Sequence, residues 1–198
     1  MSPYGVKSSE PRFAGPVFSV VTDQVEMPDG GVARRDYVRH VGAVGVVALD
    51  EDERVVLVRQ YRHPVRQRLW ELPAGLIDVA GEELPAAAAR ELAEEVDLVA
   101  GRWDLLVDAY TSPGYSTEKI RLYLARDLAP VPEAERHERR EEEAEMEVRR
   151  VPLDEAVAMA LRGEILNAAA LIGVFAAAGL RAQGWPAPLR PLDTPLPG

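Results

Sequence analysis

The run Val41-Gly-Ala-Val-Gly-Val-Val-Ala-Leu49 is almost continuously apolar. A strand wet on one side alternates polar and apolar residues, whereas an unbroken apolar run suits a strand covered on both faces. The chain of 198 residues is long enough for one well-cored domain of that kind with a small appendage. Around this run the sequence reads as a mixture of strands and helices. Val17–Met27 and Val32–His40 flank Pro28-Asp-Gly-Gly31, a hairpin signal. That hairpin belongs either to the main sheet or to a separate N-terminal arm. Residues 1–16, with three prolines and two glycines, read as an irregular lead-in. A polar turn at Asp50–Glu53 precedes a strand over Arg54–Tyr61, and an irregular stretch follows Gly75.

Pro85 suits the first turn of a helix, and the alanine- and glutamate-rich residues after it have strong helix propensity as far as Val96. Further strands are expected at Trp103–Tyr110, Ile120–Ala125 and Met146–Val151. The charged stretch Pro130–Glu143 reads as an exposed loop, and two helices are expected over about 153–162 and 165–181. The tail from Pro186 holds five prolines in twelve residues and is expected to be disordered or draped over the surface. The fold class is therefore α/β (α+β), a sandwich with a mixed sheet.

With no cysteine, the chain excludes disulfides, thiolate metal sites and cysteine nucleophiles, as suits a cytoplasmic protein. The N-terminus lacks an apolar core of signal-peptide length, and no run approaches the ~18 apolar residues of a membrane span. A net charge of −10 disfavours nucleic acid and membrane surfaces as partners. It would equally repel an anionic nucleotide unless cations reverse the field locally. Gly42 and Gly45 lack the spacing and following helix of a dinucleotide loop, and Ser116 lacks the second glycine of a nucleophile elbow. His40, His63 and His137 have no metal-ligand spacing.

On the expected helix, Glu91, Glu94 and Glu95 fall at i, i+3 and i+4 and share one face beside the apolar Ala88, Leu92 and Val96. Like charges so placed repel, and hard divalent cations remove the penalty because carboxylate oxygens are the ligands they prefer. A glutamate triplet alone reads more simply as a solvated acidic face. The residues upstream change that balance: Gly75 allows a sharp turn that exposes a carbonyl, and Glu82 precedes the helix at a spacing that reaches the same place.

The segment Gly75-LIDVAG-Glu82-ELPAAAA-Arg90-Glu91-Leu92-Ala93-Glu94-Glu95-Val96-Asp97-Leu98 resembles the signature of the Nudix hydrolases. It departs in two places: six residues rather than five lie between Gly75 and Glu82, and Asp97 stands where the signature has glycine. The first is a loop insertion; the second asks Asp97 for a left-handed conformation, which Asp occasionally adopts. The resemblance implies a Nudix α/β/α sandwich. It also implies divalent metal, Mg2+ with Mn2+ as a substitute, held by the Ala74 carbonyl, Glu91 and Glu95. Glu94 then supports, Arg90 orients the glutamates, and Glu82 ligates a further ion or braces the loop.

Leu69-Trp-Glu-Leu-Pro-Ala-Gly75, Ser112-Pro113-Gly114 through Glu118, and Arg162-Gly-Glu-Ile165 with Asn167 resemble the ADP-ribose pyrophosphatase subfamily. That resemblance implies hydrolysis of ADP-ribose to AMP and ribose 5-phosphate. In this subfamily the water-activating base is a loop glutamate after the box; Glu142 is the first choice and Glu143 the second. Arg62 is a candidate phosphate clamp, since guanidinium matches phosphate oxygens bidentately. Glu71, Arg39, Pro113 and Gly114 are weaker candidates for substrate contacts.

The subfamily often dimerises through exchanged N-terminal strands, which favours an arm over residues 1–40, a hydrolase domain over 41–183 and a tail over 184–198. The partners expected are a small nucleotide-sugar substrate and a second copy of the chain. The rivals are a pyrophosphatase for GDP-mannose or another nucleotide sugar and, from another class, a non-catalytic nucleotide sensor. Intact Glu91, Glu94 and Glu95 argue against the sensor.

Overall fold

The computed structural model describes residues 4–138, 145–186 and 189–197, and the chain forms two compact units. The first joins the N-terminal residues up to Gly42 with Tyr110–Lys119. Its sheet runs β1 (Val6–Ala14), β2 (Phe18–Glu26), β3 (Val32–His40) in that order. The β2–β3 hairpin keeps an unbroken antiparallel register from Phe18↔His40 to Glu26↔Val32. Its turn closes where Gly30 takes φ 84°, and Asp29 Oδ1 accepts from the Gly31 N–H at 2.9 Å.

The expectation of an irregular lead-in over residues 1–16 is corrected by β1. Proline argues against a central strand, but β1 lies at the sheet edge, where a missing N–H is tolerated. The ladder is irregular between Pro11 and Phe13, beside the proline itself. The Ser112–Thr117 turn packs against β3: Val38 donates to the Tyr115 carbonyl at 2.8 Å, and Thr117 donates back to Val38 at 2.9 Å.

The second unit holds the remaining strands: β4 (Ala43–Ala48), β5 (Arg54–Arg62), β6 (Gln67–Glu71), β7 (Ala74–Leu76), β8 (Leu98–Tyr110), β9 (Lys119–Pro130) and β10 (Glu147–Pro152). The helices are α1 (Leu84–Val96), α2 (Leu153–Leu161) and α3 (Ala168–Ala182). One sheet is mixed, in the order β7-β4-β9-β8, with β4 parallel to β9 and antiparallel to β7. The other is antiparallel, in the order β10-β5-β6.

The apolar run behaves as its composition demands. Val44, Val46 and Ala48 enter a core with Ala87, Ala88 and Leu92 of α1, while Val47 and Leu49 enter a second core with α2 and α3. A sheet covered by helices on both faces is the α/β/α sandwich. Gly173 in α3 makes one of these contacts close: a Cβ there would lie 2.6 Å from Leu72 Cδ1 and 2.8 Å from Val47 Cγ2.

Two further expectations shift. β8 begins at Leu98 rather than Trp103, because Asp97 ends α1 at φ 56° and ψ 38° and the chain turns straight into the sheet. The described part of the proline-rich tail is draped rather than loose: Arg190 bridges to Leu105, and Leu192 packs on the α1-side core. Among the described residues, no helix is long and apolar enough to cross a membrane.

Candidate active site

β7 and α1 build the acidic centre. β7 pairs with the first half of β4, placing Gly75 opposite Val44 and Ala74 opposite Gly45. α1 starts with proline in its first turn and ends on Asp97, whose N–H closes on the Ala93 and Leu92 carbonyls. Ala87, Ala88, Leu92 and Val96 face the sheet, and the same rotation carries Glu91 and Glu95 inward with them. Both are buried, Glu91 at 9% and Glu95 at 4% exposure.

Two carboxylates so deep in a protein need strong compensation. Glu95 Oε2 accepts from the Ala74 N–H at 3.0 Å. Glu91 lies against Gly75 so closely that a Cβ on Gly75 would fall 2.0 Å from its carboxylate carbon. The glycine hydrogen is what leaves room for the acid.

Arg90 is the cationic hub. Its Nη1 donates to Glu91 Oε1 at 2.7 Å and to Glu94 Oε2 at 3.0 Å, while its Nε and Nη2 reach the two oxygens of Glu82 at 3.1 and 3.2 Å. The hydrogen bonds to Glu82 come first in holding this guanidinium above its ordinary pKa, against the opposing effect of burial. Glu82 thus ties the loop before α1 to the helix.

Among the described residues, no three Asp, Glu or His side chains already form a metal cage; Arg90 stands among Glu82, Glu91 and Glu94. The donor set nevertheless fits a hard divalent cation. Magnesium takes one or two carboxylates and completes its shell with waters and substrate phosphates. Buried Glu91 and Glu95 beside the Ala74–Gly75 backbone supply that many.

The other sequence-predicted residues are distributed more widely. Arg62 and Glu71 come together: Nε donates to Oε1 at 3.0 Å and Nη2 to Oε2 at 2.7 Å, with Glu71 buried. What Arg62 presents outward is therefore a guanidinium aligned by Glu71. Arg39, Pro113 and Gly114 belong to the first unit, where Arg39 Nη2 donates to the Tyr37 hydroxyl at 3.1 Å. Glu142 and Glu143 lie outside the described residues. Just past them, Glu145 is anchored by Arg68 of β6 through an ion pair and a 3.2 Å bond to its carbonyl.

A polar cavity of about 270 Å3, lined by Asp50, Arg54, Arg126 and Arg150 among others, opens at the other end of β4. None of the singled-out residues lines it. Sequence reasoning also missed a buried Arg121–Asp108 pair, whose partners lie 13 residues apart on different strands without a local motif.

Comparison with known proteins agrees with this geometry. The NUDIX domain model matches residues 39–170. An ADP-ribose pyrophosphatase of Mycobacterium tuberculosis is 49% identical over 187 residues, spanning 94% of this chain and 88% of the relative. One of Bacillus subtilis is 34% identical over 81% of this chain and 85% of its own. A crystal structure of an ADP compounds hydrolase superposes with a TM-score of 0.76 at 26% identity, covering 92% of this chain and 96% of that one. Glutamates on the inner face of α1, a glycine that makes room for one of them and a matching domain over most of the chain lead to one assignment: the chain belongs to the Nudix family.

Proposed function

We propose that this protein hydrolyses ADP-ribose to AMP and ribose 5-phosphate, with Mg2+ as the activating ion and Mn2+ as a substitute. The observation that carries the chemistry is the pair of buried carboxylates, Glu91 and Glu95, set against the Ala74–Gly75 backbone. The substrate is supported by the two pyrophosphatase relatives. The name of the structural neighbour supports a second, broader reading in which other ADP-containing compounds are also cleaved.

The Ala74 carbonyl, Glu91 and Glu95 would hold the metal, with Glu94 and Glu82 supporting. When bound, the divalent cation neutralises the diphosphate and acidifies water in its shell. Arg90 keeps Glu82, Glu91 and Glu94 in one orientation. Arg62, aligned by Glu71, meets a phosphate; Arg39, Pro113 and Gly114 contact the remainder of the substrate. In the reaction, a water oxygen bonds to phosphorus, the bridging P–O bond breaks, and a carboxylate takes the water's proton. We assign that last role to Glu142, with Glu143 as the alternative. The protein would work in the cytoplasm as a homodimer joined through the N-terminal arm.

Hydrolysis of a nucleotide-sugar panel with and without Mg2+, with products separated by chromatography, tests this reading. ADP-ribose should be cleaved only with metal. Brisk turnover of another nucleotide sugar beside none of ADP-ribose would overturn the substrate. Glu91→Gln and Glu95→Gln should each abolish turnover, and full activity in either would end the metal assignment. Glu142→Gln should lose turnover while keeping metal-dependent substrate binding; normal turnover would move the base to Glu143.

A further inference from the structure

On the α1 side of the mixed sheet, Arg121 of β9 is 1% exposed and Asp108 of β8 is 5% exposed at the side chain. The guanidinium donates through Nε and Nη2 to the two Asp108 oxygens at 2.7 and 3.0 Å. It also reaches the tail: Nη1 donates to the Thr194 carbonyl at 2.5 Å, and Nη2 donates to the Pro195 carbonyl at 3.2 Å. Arg190 adds a 2.8 Å bond to Asp108 from outside.

From Leu192 to Pro197 the tail alternates half-buried and exposed residues, starting in a turn that the Thr194 N–H closes on the Pro191 carbonyl at 3.1 Å. A buried charged pair is costly unless all its donors are met, and here backbone carbonyls of the tail meet them. The tail is thus built into the sheet's polar centre through its backbone carbonyls, and the Arg190 and Leu192 side chains anchor it on either side.

Two features connect this clasp to the acidic centre. Val44 of β4 pairs with Gly75 on one side and Arg121 on the other, so Gly75 and Arg121 share one rung, two strand spacings or about 10 Å apart. Leu192 packs into the same apolar cluster as Leu84, Ala87, Ala88 and Leu92 of α1, together with Ile77 of the preceding loop. Core packing transmits displacement because it is as dense as a crystal.

We infer that the segment Arg190–Pro197, clasped by Arg121 and Asp108, is a positioning strap that holds the 77–84 loop and the first turns of α1 in register for metal binding. Arg121, Asp108, Arg190 and Leu192 are positioning residues, remote from the reacting atoms. The metal part of this inference rests on Glu91 and Glu95 as ligands; the mechanical part does not.

The full-length variant Arg190→Ala/Leu192→Ala tests it by two measurements, Mn2+ binding by calorimetry and amide hydrogen exchange. Metal affinity should fall on the order of tenfold, the usual effect of removing an outer-shell support. Exchange should accelerate over residues 77–88 while β5 and β10 stay protected. Should the double variant fail to fold, Arg190→Ala alone removes only an exposed contact and should show a smaller change of the same kind. Unchanged metal affinity with faster exchange confined to residues 189–197 would overturn the inference and leave the tail a passive cover. If Glu91→Gln binds metal normally while the strap variant still loosens residues 77–88, the ligand assignment fails and the mechanical role stands.

Discussion

At Gly75 a single hydrogen stands where any other residue would put a carbon 2.0 Å from the Glu91 carboxylate carbon. Both neighbours are constrained: Glu91 is buried and held by Arg90, and Gly75 is paired to Val44 in the sheet. In Gly75→Ala the glutamate must swing away, because the strand cannot. The fold should survive, with activity and metal affinity down on the order of 10 to 100-fold. Circular dichroism alongside a metal titration of turnover checks this, and unchanged turnover would mean that Glu91 has another productive position. The sequence reads Gly75 as a sharp turn, whereas it lies within the paired strand β7 and has no positive φ, so its need for glycine has another origin. Its cause is a contact between residues 16 apart, which no local pattern shows. Asp97 is the converse case: its left-handed backbone was legible from its place at the helix end. Arg62 was legible as a cation, while its alignment by Glu71 depends on the β5–β6 register.

Elements were legible wherever burial wrote a period into the sequence. β4 announced itself by an apolar run, the β2–β3 hairpin by its turn, and α1 by propensity and its glutamates. β1 left no such mark. All nine of its residues are exposed, so no apolar alternation is imposed, and two of the prolines of the lead-in lie beyond its ends or at its neighbouring turn. In the order β1-β2-β3, among the described residues, one edge of β1 has no strand beside it. Tyr4, Val6, Phe13 and Phe18 are exposed there or close by. An open edge with apolar side chains invites pairing with another chain, which supports the proposed dimer arm. Deleting residues 1–16 should therefore convert a dimer to a monomer by sedimentation velocity while the second unit stays folded. A full-length protein that sediments as a monomer, or a deletion that remains dimeric, would remove the arm from the assembly.

Across the whole molecule a charge of −10 works against compactness, and the acids Asp50 and Asp108 of the second unit, with side chains 5% exposed, tolerate it by pairing with arginines. Burial by itself raises the Asp108 carboxyl, but hydrogen bonds from Arg121 and Arg190 hold it below its ordinary 3.8. Asp50 is treated alike: burial raises it, and the backbone and side chain of Arg54 lower it further than burial lifts it. A carboxyl depressed in the folded state contributes stability that is fully present above the unfolded value. That contribution is lost as pH falls through the lower folded one. These two groups should leave stability level between about pH 7 and 5 and erode it below about 4. Asp108→Asn isolates one of them. At pH 7 it leaves a buried guanidinium without its counter-charge, at a cost on the order of 3 kcal/mol. In strong acid the native protein loses the same charge by protonation, so the difference between variant and native must shrink. Urea unfolding midpoints at pH 7 and near pH 3 measure both effects; a gap that stays constant down the pH scale would show that Asp108 holds the tail by shape rather than by charge.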